Sequence, residues 1–346
     1  MREQIMEMDK GEKKVQKNVT TIGVVGTSNI TEKFISAVKE CPLLGLKAVY
    51  SRSMEKAERF AAKHGIEKCF DNLETMAEDS ELDAVYIASP NFMHHRQSIL
   101  FLQHGKHVLC EKSAAVNYRE IWEMVDTAHR NQVVFLEAMR SSYDPGFRVV
   151  RENLNKLGKI RMVKFSNGRY SSKYDGFLEG KPQNIFSPEC AAGALLDMGV
   201  YCVHPLIELF GMPDQVQASC VKLSNGIDGA GTFLALYPEM LAEVSYSKIS
   251  NGRMESEIQG EKGTMFISEI MSPRKAVIEY VHGGVEELVI PPCENNMCYE
   301  AEYFARAIQE HTDVTAHQQV SLDSTRLMDE VRRQQNLIFP VESPHG

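Results

Sequence analysis

The chain has 346 residues, enough for two domains, because single cores rarely grow much beyond about 250 residues. Its 43% hydrophobic and 25% charged content is that of an ordinary globular protein, and a net charge of −9 argues against general affinity for nucleic acid or an anionic membrane. Eight scattered cysteines form no C-x-x-C pair and no His/Cys cluster at metal-ligand spacing, so no metal is expected and reduced thiols in a cytoplasmic protein fit best.

The opening "MREQIMEMDKGEKKVQKN" is charged throughout and lacks the apolar stretch of a signal peptide, so residues 1–19 read as a flexible arm. No later stretch approaches the roughly 18 apolar residues that a membrane span needs. From residue 20 to 140, short apolar runs alternate with amphipathic segments. The runs are Thr21–Gly26, Leu46–Ser51, Ala84–Ser89, His107–Glu111 and Val133–Met139. Apolar on successive residues, they suit parallel strands covered on both faces. Between them lie helical patterns such as "SMEKAERFAAKHG", with Ser53 as N-cap and Gly65 just past the end, and "NYREIWEMVDTAHRN". This β-α-β alternation predicts a doubly wound parallel sheet of the Rossmann type.

Beyond about residue 158 the pattern changes. "KIRMVKFSNGRY", "QVQASCVKL", "GTFLALYP", "MLAEVSYSK", "RMESEIQG", "GTMFIS", "AVIEYVHG" and "VEELVIP" read as consecutive strands. Turn chemistry separates several of them, at Pro238-Glu239, Asn251-Gly252 and Gly283-Gly284. Residues 141–346 are therefore expected to form an α+β domain with a large, open, mostly antiparallel sheet. It would serve for oligomerisation, because one sheet face would otherwise expose alternating apolar residues; a homodimer or homotetramer follows. One strongly helical piece, "GALLDMGVYCVHPLIELFG", interrupts the strands. The tail returns to helix with "CYEAEYFARAIQEH" and "SLDSTRLMDEVRRQQ", which are placed back against the first domain.

Three stretches carry chemistry. The first, "GTSNIT" at 26–31, joins a strand to a helix where a dinucleotide fold binds pyrophosphate on free helix N–H groups. Gly26 makes the tight turn. Ser28 and Thr31 replace the two further glycines of the usual fingerprint, so Ser28 would offer a hydroxyl donor where backbone normally approaches the phosphate. After the second run stand Ser51 and Arg52, where an NAD enzyme places a carboxylate on the ribose; a hydroxyl and a guanidinium suit a 2′-phosphate and favour NADP over NAD. The second and third stretches are "ASPNFMHH" (88–95) and "CEKS" (110–113), both at carboxyl ends of predicted parallel strands, where ligands bind in open α/β sheets.

With "LEAM" and "ALLDMGVY" in the same order, these motifs make the chain resemble the Gfo/Idh/MocA oxidoreductases (glucose–fructose oxidoreductase, inositol dehydrogenase and relatives) from about Thr21 to the C-terminal helix. It is most similar to dihydrodiol-dehydrogenase-like and glucose–fructose oxidoreductase-like members, which carry tyrosine four residues after the "LLD" aspartate. The resemblance implies an NAD(P)-binding domain at 20–140 and a substrate domain after it. It implies a cofactor site made of Gly26, Ser28, Asn29, Ile30, Ser51, Arg52, Ser89, Pro90, Asn91, His94, Glu111 and Lys112. It also implies a catalytic set of Lys112, Asp197 and Tyr201.

The residues suit those roles. Oxidising a secondary alcohol needs a group for the hydroxyl proton and charge to steady the alkoxide. Lys112 supplies a cation, or a proton shuttle if burial lowers its pKa. Asp197 and Tyr201, at i and i+4, share one helix face with His204, which is expected to be structural. One departure stands out: Ser113 follows Lys112 where the family commonly has proline after a cis bond. A cis bond before a non-proline residue costs about 2.5–4 kcal/mol, so a trans peptide is expected unless the site holds a cis one. The function implied is hydride transfer between a nicotinamide cofactor and a small-molecule sugar, polyol or related cyclic alcohol or carbonyl. Two alternatives stay open: a non-catalytic NADP(H)-sensing regulator, and a biliverdin reductase-like reductase of a larger conjugated substrate.

Overall fold

The computed structural model describes residues 19–253 and 255–340, so the expected arm at 1–19 lies, but for Val19, outside the described residues. Six strands form the first sheet: β1 (Thr20–Val25), β2 (Leu44–Tyr50), β3 (Lys68–Phe70), β4 (Ala84–Ile87), β5 (His107–Glu111) and β6 (Phe135–Ala138). All neighbours run parallel, in the order β3-β2-β1-β4-β5-β6. The chain reverses its direction of travel between β1 and β4, the crevice where doubly wound sheets bind dinucleotides. β1, β4, β5 and β6 are almost wholly buried, as continuous apolar runs require. β3 was not expected; three half-buried residues carry too short a pattern to read.

Helices α1 (Asn29–Glu40), α2 (Met54–His64), α3 (Leu73–Ala77), α4 (Asn91–Gln103) and α5 (Tyr118–Arg130) connect these strands. Their ends follow the chemistry of the sequence. Ser53 caps α2 by accepting from the Lys56 N–H, and Gly65 closes it in the left-handed conformation at φ 72°. Asn117 caps α5 through the Glu120 N–H at 3.0 Å.

After α6 (Arg140–Tyr143) and α7 (Pro145–Glu152) comes the second sheet, with all eight expected strands. They are β7 (Ile160–Gly168), β8 (Gln215–Lys222), β9 (Asp228–Leu236), β10 (Leu241–Ser247), β11 (Ser256–Gly260), β12 (Gly263–Ile267), β13 (Ala276–Tyr280) and β14 (Val285–Leu288). Their order is β14-β13-β12-β11-β7-β10-β9-β8, antiparallel except where β10 runs parallel to β7. One face buries Val163, Phe165, Phe233, Val244, Ile258 and Met265. Against it lies α9 (Val200–Phe210), preceded by a π-helical turn at Leu195–Gly199. Before these, α8 (Tyr174–Leu178) opens a loop of short turns.

The stretch Pro188–Phe210 corrects one expectation, since it is long and apolar enough to cross a membrane. However, 83% of its apolar window is buried inside the fold, and α9 serves as the core helix on which the second sheet packs. A helix hydrophobic all round is a buried helix.

Two helices complete the chain. α10 (Met297–Gln309) packs on α1, β1 and β2, while α11 (Thr315–Gln334) packs on α5, β6, α9 and β8. The tail thus touches both sheets.

Candidate active site

Gly26 ends β1 at φ +114°, a conformation L side chains rarely adopt. A Cβ there would stand 2.9 Å from the Ala88 carbonyl oxygen, so the close approach of the two loops requires glycine. Ser28 is the N-cap of α1, yet its side chain caps nothing; its Oγ lies 3.2 Å from Thr31 Oγ1, and Thr31 is fully buried. The first N–H groups of α1 therefore keep their capacity for an anion, beside Asn29 and the half-buried Ile30. Such a cradle fits the pyrophosphate of a dinucleotide.

Across the crevice, Pro90 is the N-cap of α4 and Asn91 its first residue. Ser28, Ile30, Ser89, Pro90 and Asn91 line one side of a cavity of about 310 Å³. Its other side comes from the second domain, from Asn184, Ile185, Asp197 and Lys248. Asn91 reaches across, donating from Nδ2 to the Ala191 carbonyl at 3.4 Å.

Lys112 follows β5, and its ammonium group holds the second domain directly. Nζ lies 2.6 Å from Asp197 Oδ1 and 2.9 Å from the Asp197 carbonyl oxygen. It also stands 4.7 Å from the centroid of the Tyr201 ring. Lys112, Asp197 and Tyr201 therefore converge, although Asp197 sits in the π-helical turn and not in the regular helix that the spacing predicted. The Lys112–Ser113 peptide is cis, not the trans bond expected. Ser113 Oγ donates to the Leu196 carbonyl at 2.9 Å, tying this loop to the segment that carries Asp197.

Charge decides the protonation states. Burial works against the Lys112 ammonium, but the charges of Asp197 and Tyr201 outweigh it and raise its pKa above the ordinary lysine value. Lys112 is thus a fixed cation; the proton-shuttle role considered above needed the opposite shift. Burial likewise opposes ionisation of Asp197, and the ammonium groups of Lys112 and Lys248 overcome it, holding the carboxyl below its usual range.

His94 and Glu111 are committed elsewhere. His94 is buried, with Nε2 2.7 Å from the Ser89 carbonyl and Nδ1 3.0 Å from the Ser113 carbonyl, so it pins the two loops to each other. Glu111 accepts from the Tyr86 hydroxyl at 2.5 Å and from the Lys112 N–H at 3.2 Å. Neither lines the cavity. Ser51 is buried at the end of β2 and Arg52 is exposed beside it, also outside the cavity lining. His204 is buried off the site, 3.2 Å from Ser142 Oγ.

The structure adds residues that the sequence reading missed. Lys248, just past β10, is 1% exposed and lies 2.9 Å from Asp197 Oδ2. Arg140, just past β6, has its guanidinium carbon 5.4 Å from the Tyr201 ring centroid. Glu300, from α10, is 1% exposed, with neither carboxyl oxygen hydrogen-bonded among the described residues; burial, then the Glu111 charge, raises its pKa well above the usual value. Arg140 follows the carboxyl end of a parallel strand, a signal that would have found it. Lys248 and Glu300 look in sequence like any solvated strand-end lysine and helix glutamate.

Comparison with known proteins identifies the family. Residues 20–139 match the oxidoreductase family with an NAD-binding Rossmann fold, and residues 148–266 match the GFO/IDH/MocA C-terminal domain. The chain is 41% identical over 321 residues to scyllo-inositol 2-dehydrogenase (NADP(+)) IolU of Bacillus subtilis, covering 92% of this chain and 98% of that protein. It is 28% identical to trans-1,2-dihydrobenzene-1,2-diol dehydrogenase of Danio rerio, with 93% and 98% covered. Among solved structures, KijD10, a 3-ketoreductase from Actinomadura kijaniata in complex with NADP and TDP-benzene, superposes with a TM-score of 0.82 at 21% identity, over 92% of this chain and 98% of that one. The chain belongs to the GFO/IDH/MocA family of NAD(P)-binding oxidoreductases.

Proposed function

We propose that this oxidoreductase is an NADP(H)-dependent dehydrogenase or reductase of a sugar, polyol or related cyclic alcohol or carbonyl, with Lys112, Asp197 and Tyr201 as its catalytic set. The convergence of Lys112 with Asp197 and Tyr201, where Asp197 lines a cavity bounded by the starts of α1 and α4, carries the reading. When bound, the nicotinamide ring takes or gives the hydride. In oxidation the substrate hydroxyl proton goes to the deprotonated Tyr201 oxygen, and in reduction the Tyr201 hydroxyl returns it to the nascent alkoxide. The Lys112 ammonium steadies that alkoxide, and Asp197, ionised throughout, holds Lys112 in place. Lys112→Met is expected to cut turnover on polyols by about 10²–10⁴-fold while NADPH binding persists. Undiminished turnover sinks the proposal. Activity confined to large conjugated substrates would favour the biliverdin reductase-like alternative.

Arg52 and Ser51 favour NADP, and the relative IolU is named for NADP(+). NADPH should bind at least about tenfold tighter than NADH, with the difference erased in Arg52→Ala; equal affinities for the wild type reject the preference. The open face of the second sheet carries Leu234, Phe266 and Val277 among Lys164, Glu243 and Glu257, which supports a homodimer or homotetramer through that face. A monomer in sedimentation equilibrium at micromolar concentration counts against it. All eight cysteines are free, which supports a cytoplasmic location; disulfide-linked peptides in protein isolated from its own cells would contradict it.

A further inference from the structure

A second cavity, of about 380 Å³, opens between α6 and α7 on one wall and α10 and the start of α11 on the other. It shares no lining residue with the active-site cavity, and its volume falls inside the roughly 300–1,000 Å³ range of small-molecule sites. Three rings cluster in its lining. The Tyr143 and Tyr303 centroids are 5.0 Å apart, and His317 lies 5.2 Å from the first and 4.7 Å from the second. Burial, then the Arg151 charge, lowers the His317 pKa, so the histidine adds a neutral ring.

The charge of the lining is as distinctive. Arg148, Arg151 and Arg306 face it with Glu302 as the single carboxylate, in a chain whose net charge is −9. Arg306 pairs along its own helix with Glu302 at 2.7 Å and Glu310 at 3.3 Å, and Arg151 reaches Glu208 at 2.9 Å. Arg148 has no ion pair or hydrogen bond among the described residues. It stands three residues before Arg151 on α7, so two like charges are neighbours on one helix face, an arrangement that an anion relieves. A guanidinium offers five donors in a fork that matches a phosphate or a carboxylate.

We infer that this cavity is a binding site for a small anion carrying an aromatic ring. Arg148 takes the anionic group, and Tyr143, Tyr303 and His317 pack against the ring. A nucleoside monophosphate and an aromatic carboxylate share that chemistry.

Calorimetry on protein saturated with NADPH, which fills the dinucleotide site, can compare AMP, 4-hydroxybenzoate, adenosine and inorganic phosphate. The first two carry both ring and anion, the last two only one of them. At least one of the first two should bind about tenfold or more tightly than adenosine and phosphate, and which one does so identifies the source. Arg148→Ala, at an exposed position, should weaken that binding about tenfold or more and leave the KM for NADP unchanged. The assignment is overturned if the ring-bearing anions bind no better than phosphate or adenosine, or if Arg148→Ala leaves their affinity intact. Absence of binding by both at millimolar concentration overturns it as well.

Discussion

Two lysines on one carboxylate divide the labour among the candidate residues. Asp197 is held as an anion and Lys112 as a cation. The ordered motifs pointed to these three because each lies at a strand end or in a helical stretch with recognisable neighbours. Lys248 and Glu300 come from segments more than 50 residues from Asp197 along the chain, and only the tertiary fold joins them to the site. Glu300 has a measurable consequence for stability. Its folded pKa lies well above 4.5, because burial and the Glu111 charge disfavour ionisation. Above pH 4.5 the folded state therefore keeps a proton that the unfolded state releases, and stability falls as pH rises. Glu300→Gln removes that loss. Urea unfolding should show the variant about 1 kcal/mol or more above wild type at pH 8 and little changed at pH 5. A loss of stability at pH 8 would contradict it.

At the scale of elements, the βαβ alternation and the eight later strands were legible because apolar runs of five or more residues carry their own periodicity. Three features were not. β3 is too short, the parallel pairing of β7 with β10 depends on a long crossover, and the π-helical turn at Leu195–Gly199 is a matter of hydrogen-bond register. The β1–α1 turn was read correctly as a glycine turn, and its geometry can be tested. Gly26→Ala forces a Cβ to 2.9 Å from the Ala88 carbonyl at φ +114°. The strain should cost on the order of 1–3 kcal/mol. Relief by separating the two loops should weaken NADPH binding about tenfold or more, read by fluorescence titration and thermal melting. Unchanged affinity and melting temperature together would mean that the loops do not need their close approach.

Across the whole molecule, buried titratable groups pull stability in both directions as pH changes. Burial lowers the pKa of His107 to about 4 and that of His204 to about 3. His107 Nδ1 also accepts the Val134 N–H at 2.8 Å, a bond that protonation abolishes. Both histidines stay neutral in the fold while the unfolded chain protonates them below pH 6.5, so stability declines as pH drops. Asp228 works the other way: burial raises its pKa to about 6, and between there and 3.8 the fold holds a proton that the unfolded chain has lost. Glu300 acts in the same sense as Asp228, so the testable contribution is that of His107 itself. Between pH 6.5 and 4, His107→Asn should lose less stability than the wild type, by up to about 1.4 kcal/mol per pH unit, read from urea midpoints. Parallel midpoint curves for the two proteins would contradict it.

The packing of α10 on α1 also bears on how the chain is made. Phe34, Ile35 and Val38 of α1 share one apolar cluster with Met297, Ala301, Phe304 and Ala305 of α10. A ribosome adding roughly 5–20 residues per second delivers the second group only after more than 250 further residues have been joined. The half of the protein synthesised first thus waits for the half synthesised last. For tens of seconds the nascent chain presents an unfinished apolar groove, and it is the arrival of the tail that ends the exposure.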